Sequence, residues 1–152
     1  MKLPITISVA LIAVTLCSCR KNKFTTIPQL TIKSISPKTV FNSNIISLKG
    51  KFTDQEGDLD SIYIVYKWYN NTIVVRNDTF RYPTSRLKLP SKTREGDIFV
   101  TFEYNTNNNP NLVPLPGASA RDTTATLGLI IVDKASHRSN YGESEQIRLK
   151  KP

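Results

Sequence analysis

The clearest chemical signal in the chain is a run of carboxylates. Asp54, Glu56, Asp58 and Asp60 occupy every second position of Phe52-Thr53-Asp54-Gln55-Glu56-Gly57-Asp58-Leu59-Asp60, and Asp133 lies far downstream. Four of the twelve acidic residues therefore fall within seven positions of a chain whose formal net charge is +9. Like charges crowded this closely repel one another unless a cation or hydrogen-bond donors offset them. Calcium suits such a set, because it takes about 6–8 oxygen ligands in flexible geometry. Gly57 can turn the chain back so that the alternate carboxylates converge, and Asp133 joins them if its loop lies at the same end of the molecule. The spacing is not that of an EF-hand: the glycine directly follows Glu56, and the twelfth position counted from Asp54 is Val65. A solvated acidic turn is the simpler reading, with Asx-type hydrogen bonds or with Asp58 or Asp60 paired to Lys51 or Lys134. Both readings stand at this level.

Other chemistries find little support. The single histidine, His137, sits in a turn among Ser136, Arg138 and Ser139 and reads as solvated. There is no G-x-S-x-G elbow to present a nucleophile and no G-x-G-x-x-G phosphate cradle. Carboxylates packed into one loop do not offer the defined separation across a cleft that glycoside hydrolysis needs. One histidine and two cysteines, Cys17 and Cys19, exclude the usual closed zinc sites. No enzymatic activity is expected. The 21 basic residues are scattered, apart from Arg20-Lys21-Lys23 and Arg148-Lys150-Lys151. Without a recognition helix or a stacking aromatic motif, this charge does not point to nucleic acid.

The elements that must position the acids are strands. From Leu30 onward the hydrophobic period is two. Ile46, Leu48, Gly50 and Phe52 alternate with polar residues, as do Ile62, Ile64, Tyr66 and Trp68, then Ile98, Val100, Phe102 and Tyr104. Ala125, Leu127, Leu129 and Ile131 form another inward row, and Ile147 with Leu149 a last one. Asn70-Asn71 marks a tight turn, with Thr72 to Arg76 running back from it. Arg86-Leu87-Lys88-Leu89 reads as a short edge strand ended by Pro90. Residues 105–121, rich in Asn, Pro and Gly, show no strand or helix pattern. Seven to nine short strands and no helix predict one antiparallel, immunoglobulin-like β-sandwich over residues 30–152, with Tyr66 and Trp68 as core aromatics.

The first residues give an address. Lys2, an uncharged run from Leu3 to Leu16 and the exit Leu16-Cys17-Ser18-Cys19 read as a secretory signal. The run is too short for a comfortable membrane span. Leu16-Cys17-Ser18-Cys19 resembles a bacterial lipobox. That resemblance implies a signal peptide over residues 1–18, cleavage before Cys19 and acylation of Cys19, including with palmitate. Two or three acyl chains hold a protein durably where one does not. Residues 19–29, polar and aperiodic, read as a flexible tether.

The acidic run Phe52–Asp60 and the later Val132-Asp133-Lys134-Ala135-Ser136-His137-Arg138-Ser139-Asn140 together resemble motifs of uncharacterised Bacteroidota cell-envelope lipoproteins with immunoglobulin-like domains. The acidic run departs from theirs at Glu56, and the late loop at Ser136 and His137. The resemblance implies a membrane-anchored, non-enzymatic structural or binding module of the envelope, with envelope proteins or glycan as partners. The basic Arg20-Lys21-Asn22-Lys23 points to the outer membrane facing the periplasm rather than to the cell surface. The alternative is a carbohydrate-binding accessory lipoprotein of a glycan uptake or processing system, using Tyr63, Tyr69 and the 105–121 loop. Asp60-Ser61-Ile62 and Asp122-Thr123-Thr124 resemble Bacteroidota O-glycosylation acceptors, which makes Ser61 and Thr123 candidate modification sites.

Overall fold

A computed structural model describes residues 24–151, apart from residues 88, 91, 118 and 119. The expected signal peptide and Cys19 lie outside the described residues. Ten strands follow in order: β1 (Gln29–Ser36), β2 (Thr39–Val40), β3 (Ile45–Thr53), β4 (Leu59–Asn70), β5 (Ile73–Pro83), β6 (Glu95–Tyr104), β7 (Val113–Leu115), β8 (Thr123–Asp133), β9 (Gly142–Glu143) and β10 (Ile147–Leu149). Among the described residues no helix is long and apolar enough to cross a membrane.

The strands form two facing sheets. One has the order β1-β3-β6-β7; the other has the order β2-β10-β8-β4-β5, with β9 also paired to β8. In immunoglobulin terms β1, β3 and β6 take the places of strands A, B and E, and β10, β8 and β4 those of G, F and C. The alternating rows explain the arrangement. Ile46, Leu48, Phe52, Ile62, Ile64, Tyr66, Ile98, Val100, Phe102, Tyr104, Leu127, Leu129 and Ile131 are all buried between the sheets. Each large apolar side chain so buried contributes about 1.5–3 kcal/mol relative to exposure. Trp68 meets Tyr66 edge-on at 5.7 Å between ring centroids, and the Arg76 guanidinium lies 4.9 Å from the Trp68 ring centroid.

Four details differ from the sequence expectation. First, the sheets are mixed: β2 pairs parallel with β10, and β7 parallel with β6. The first arises because the chain leaves one sheet after β1 and joins the edge of the other. Second, Thr84–Leu87 is a single 3-10 turn and not part of an edge strand. Leu87 and Leu89 do pack on the core, at strand-like spacing, but here the chain crosses between sheets and has no strand to pair with.

Third, residues 105–121 contain β7, and hydrogen bonds to Glu103 and from Tyr66 order part of the segment. The Glu103 carboxylate accepts from the Thr106 hydroxyl at 2.6 Å and from the Asn109 amide at 3.0 Å, and these bonds hold its pKa below the usual carboxylate range. The Tyr66 hydroxyl donates to the Pro116 carbonyl at 3.1 Å. Fourth, part of the expected tether is fixed. Pro28 is buried, and the Thr25 carbonyl accepts from the Gln55 amide at 3.1 Å.

Candidate metal centre

The fold brings three of the five candidate carboxylates together. Asp54 directly follows β3, Asp58 directly precedes β4, and Asp133 ends β8. The antiparallel register of β4 on β8 pairs Leu59 with Asp133, which sets the late loop beside the acidic one. Asp54, Asp58 and Asp133 each offer one oxygen, and these atoms lie within 4.8 Å of one another. Such a cluster could hold a metal ion.

The local geometry follows from a few hydrogen bonds. The Asp54 amide donates to the Arg94 carbonyl at 2.8 Å. The Asp58 amide donates to Asp54 Oδ2 at 3.1 Å, so the two acids are held on one side of the turn. Gly57 makes that turn at φ +67°, and a Cβ there would meet the Lys92 carbonyl carbon at 2.5 Å. The Lys134 amide donates to the Asp58 carbonyl at 3.2 Å and so ties the two loops together. Asp133 accepts from the His137 amide at 2.8 Å through Oδ1, and its Oδ2 lies 2.8 Å from His137 Nδ1.

Two oxygens stand out. Asp54 is 0% exposed and Asp133 3% exposed. Asp54 Oδ1 and Asp58 Oδ1 are both buried and have no hydrogen-bond partner. A buried acceptor left unsatisfied costs about 1–3 kcal/mol, more when charged. Native structures keep few such groups, and an ion is one of the explanations for them. The acids here are oxygen donors only, which is the chemistry of calcium or magnesium rather than of soft metals.

Glu56 and Asp60 are placed elsewhere. Glu56 is exposed, and Asp60 on β4 pairs with Arg81 of the neighbouring strand β5 at 2.7 Å. The series does not converge as a whole, because Glu56 lies on the exposed side of the Gly57 turn and Asp60, already inside β4, is drawn to Arg81 on β5. His137 is not simply solvated, as its place in a turn suggested, but is bound to Asp133. Its i, i+4 spacing from Asp133 was the only trace of this in the sequence. Arg94, whose carbonyl fixes the Asp54 amide, carried no signal there.

The remaining candidates are also located. Ser61 is 2% exposed, which makes its hydroxyl inaccessible to modification in the folded chain. The Thr123 hydroxyl donates to the Tyr69 carbonyl at 2.7 Å. The Tyr69 hydroxyl lies 3.3 Å from both Thr126 Oγ1 and Glu143 Oε1. The Arg138 guanidinium lies 5.4 Å from the Tyr63 ring centroid. The Tyr69 hydroxyl and the Tyr63 ring thus each have a partner within the chain.

No protein-family model matches the chain, and no curated protein matches it in sequence. Solved structures of broadly similar architecture include the Pseudomonas fluorescens alkylpurine DNA glycosylase AlkC bound to DNA, at 9% identity and TM-score 0.45, covering 87% of this chain and 33% of that one. The Bacillus subtilis sporulation control protein Spo0M gives 8% identity and TM-score 0.40, over 83% of this chain and 49% of its own. A Niemann-Pick type C2 protein from the Japanese carpenter ant gives 13% identity and TM-score 0.43, over 87% and 98%. The chain thus spans a third to a half of the first two. At these scores the likeness adds nothing to the strand order already described.

Proposed function

We propose that this chain is a lipid-anchored, non-enzymatic module of the bacterial cell envelope whose acidic loop end is clamped by calcium. One observation carries the calcium reading: Asp54, Asp58 and Asp133 converge, with buried, unpartnered oxygens on Asp54 and Asp58. A bound Ca2+ would satisfy those oxygens and relieve the repulsion among the three carboxylates. It would also join the β3–β4 loop to the loop after β8. The non-enzymatic reading rests on the sequence, which has no nucleophile elbow and no phosphate cradle to accompany the loop of the single histidine, His137. Ser139 in the same loop donates its hydroxyl to the Asn140 carbonyl. The anchor reading rests on the lipobox-like Leu16-Cys17-Ser18-Cys19.

Thermal melts with calcium and with EDTA test the clamp: calcium raises Tm in the wild type and leaves Asp54→Asn unchanged. Identical melts in calcium and EDTA would remove the ion from the account. Labelled palmitate tests the anchor, with label incorporated by the wild type and absent from Cys19→Ala.

A further inference from the structure

Beside the acidic cluster lies a cavity of about 570 Å³, lined by Asp58 and Glu56 of the acidic loop, Lys92 and Thr93 before β6, and Lys134 after β8. We infer that this cavity, with calcium in place, takes the phosphate of an anionic lipid headgroup from the membrane that anchors the chain. This inference rests on the calcium and anchor readings given above and specifies what the same site binds.

Coordination supplies the first argument. Three carboxylates offering one atom each provide about half of the 6–8 oxygens calcium takes. Asp58 belongs to both the cluster and the cavity wall, so the cluster lies one side chain away from the cavity, and a ligand oxygen entering past Asp58 would complete the coordination of an ion there. Charge is the second. Three carboxylates and a divalent ion leave one negative charge, and Lys92 and Lys134 reverse its sign. Neither lysine is in an ion pair among the described residues. Glu56 also lines the cavity and formally offsets the remaining positive charge, but it is exposed, where solvent screens it.

Position supplies the third argument and selects the source of the phosphate. The Gln55–Thr25 hydrogen bond sets the leading segment of the domain against the acidic loop itself. Phe24 lies five positions after Cys19, a reach of at most about 17 Å when fully extended. A lipid on Cys19 would therefore keep Phe24 within that reach of the bilayer, and with it the acidic loop that Gln55 ties to Thr25.

The test uses the full, lipidated chain in nanodiscs, with calcium affinity as the readout. Binding energies of coupled ligands are reciprocal, with typical factors of about 5–150. Phosphatidylglycerol discs should therefore lower the apparent calcium Kd about five-fold or more relative to pure phosphatidylcholine discs. The Lys92→Asn/Lys134→Ala variant should lose that gain, while its affinity in phosphatidylcholine is no weaker than the wild type's, because two repelling cations are gone. Asn is chosen because Lys92 sits at φ +63°, which Asn tolerates. An equal gain in the double variant would reduce the effect to surface potential and overturn the site. The same gain from free inorganic phosphate in phosphatidylcholine discs would overturn the membrane as source. Calcium binding without a phosphatidylglycerol gain defeats this inference alone, whereas no calcium binding in either disc defeats the calcium reading beneath it.

Discussion

Replacing Asp54 with asparagine should change the sign of its effect on stability when calcium is added. Without calcium, three carboxylate oxygens lie within 4.8 Å of one another. At an effective dielectric constant of about 20, each fully charged pair at that separation repels by about 3 kcal/mol. Nearby donors such as the His137 amide absorb part of this. The Asp54→Asn change removes one charge, and the new side chain can still accept from the Asp58 amide through its oxygen. Its amide nitrogen then points into the cluster as a donor to a carboxylate. The apo variant should therefore be more stable than the apo wild type, by about 1–2 kcal/mol. In calcium the order reverses. A ligand at 100 times its Kd stabilises the wild type by about 2.7 kcal/mol, which for a domain of this size is about 10 °C in Tm. The variant, short of one ligand and one charge, should gain little. The assay is a thermal melt of both proteins in EDTA and in saturating calcium. A Tm change of the same sign and size in both conditions would refute the reasoning, because it would make Asp54 an ordinary buried carboxylate.

Other outcomes follow from the same geometry. Gly57→Ala should cost at least about 1–2 kcal/mol from the left-handed backbone alone. Its Cβ would also press on the Lys92 carbonyl carbon, so the calcium-induced Tm rise should disappear with it in melts. Tyr66→Phe should cost about 1 kcal/mol in chemical denaturation and raise amide exchange around Pro116, whose carbonyl it leaves unbonded. The Glu103 carboxyl is held low by the Thr106 hydroxyl and then by the Asn109 amide. A depressed folded-state pKa means that its stabilisation is complete above the usual carboxylate range and is lost as pH falls through the lower folded value. Hydrogen-exchange protection factors at residues 106–112 should therefore fall on acidification in the wild type. In Glu103→Gln they should be low already and depend less on pH.

The core was readable because two-residue alternation is a direct consequence of strand geometry. Every inward row named from sequence, from Ile46–Phe52 to Ala125–Ile131, is buried apart from the partly exposed Trp68. What was not readable depends on contacts between distant segments. Strand β7 has three residues, and its existence depends on β6 beside it. The segment from the 3-10 turn at Thr84–Leu87 to Leu89 carries apolar residues at strand-like spacing, Leu87 and Leu89, but crosses between sheets. For the site, sequence supplied the right kind of residue and the right loops. It could not say that Asp60 would meet Arg81 across β4 and β5, or that Glu56 would face solvent. Nor could it supply Arg94, which acts through its backbone carbonyl. Convergence of Asp54, Asp58 and Asp133 is a product of the β4–β8 register, which no local pattern encodes.

The central claim is that the three converging carboxylates form a single calcium site. Isothermal titration of calcium into the chelator-stripped full chain tests it directly. The account predicts binding of one equivalent in the wild type, lost in Asp54→Asn and in Asp58→Asn and retained in Asp60→Asn. The absence of binding in the wild type, or equal binding in all four proteins, would contradict it.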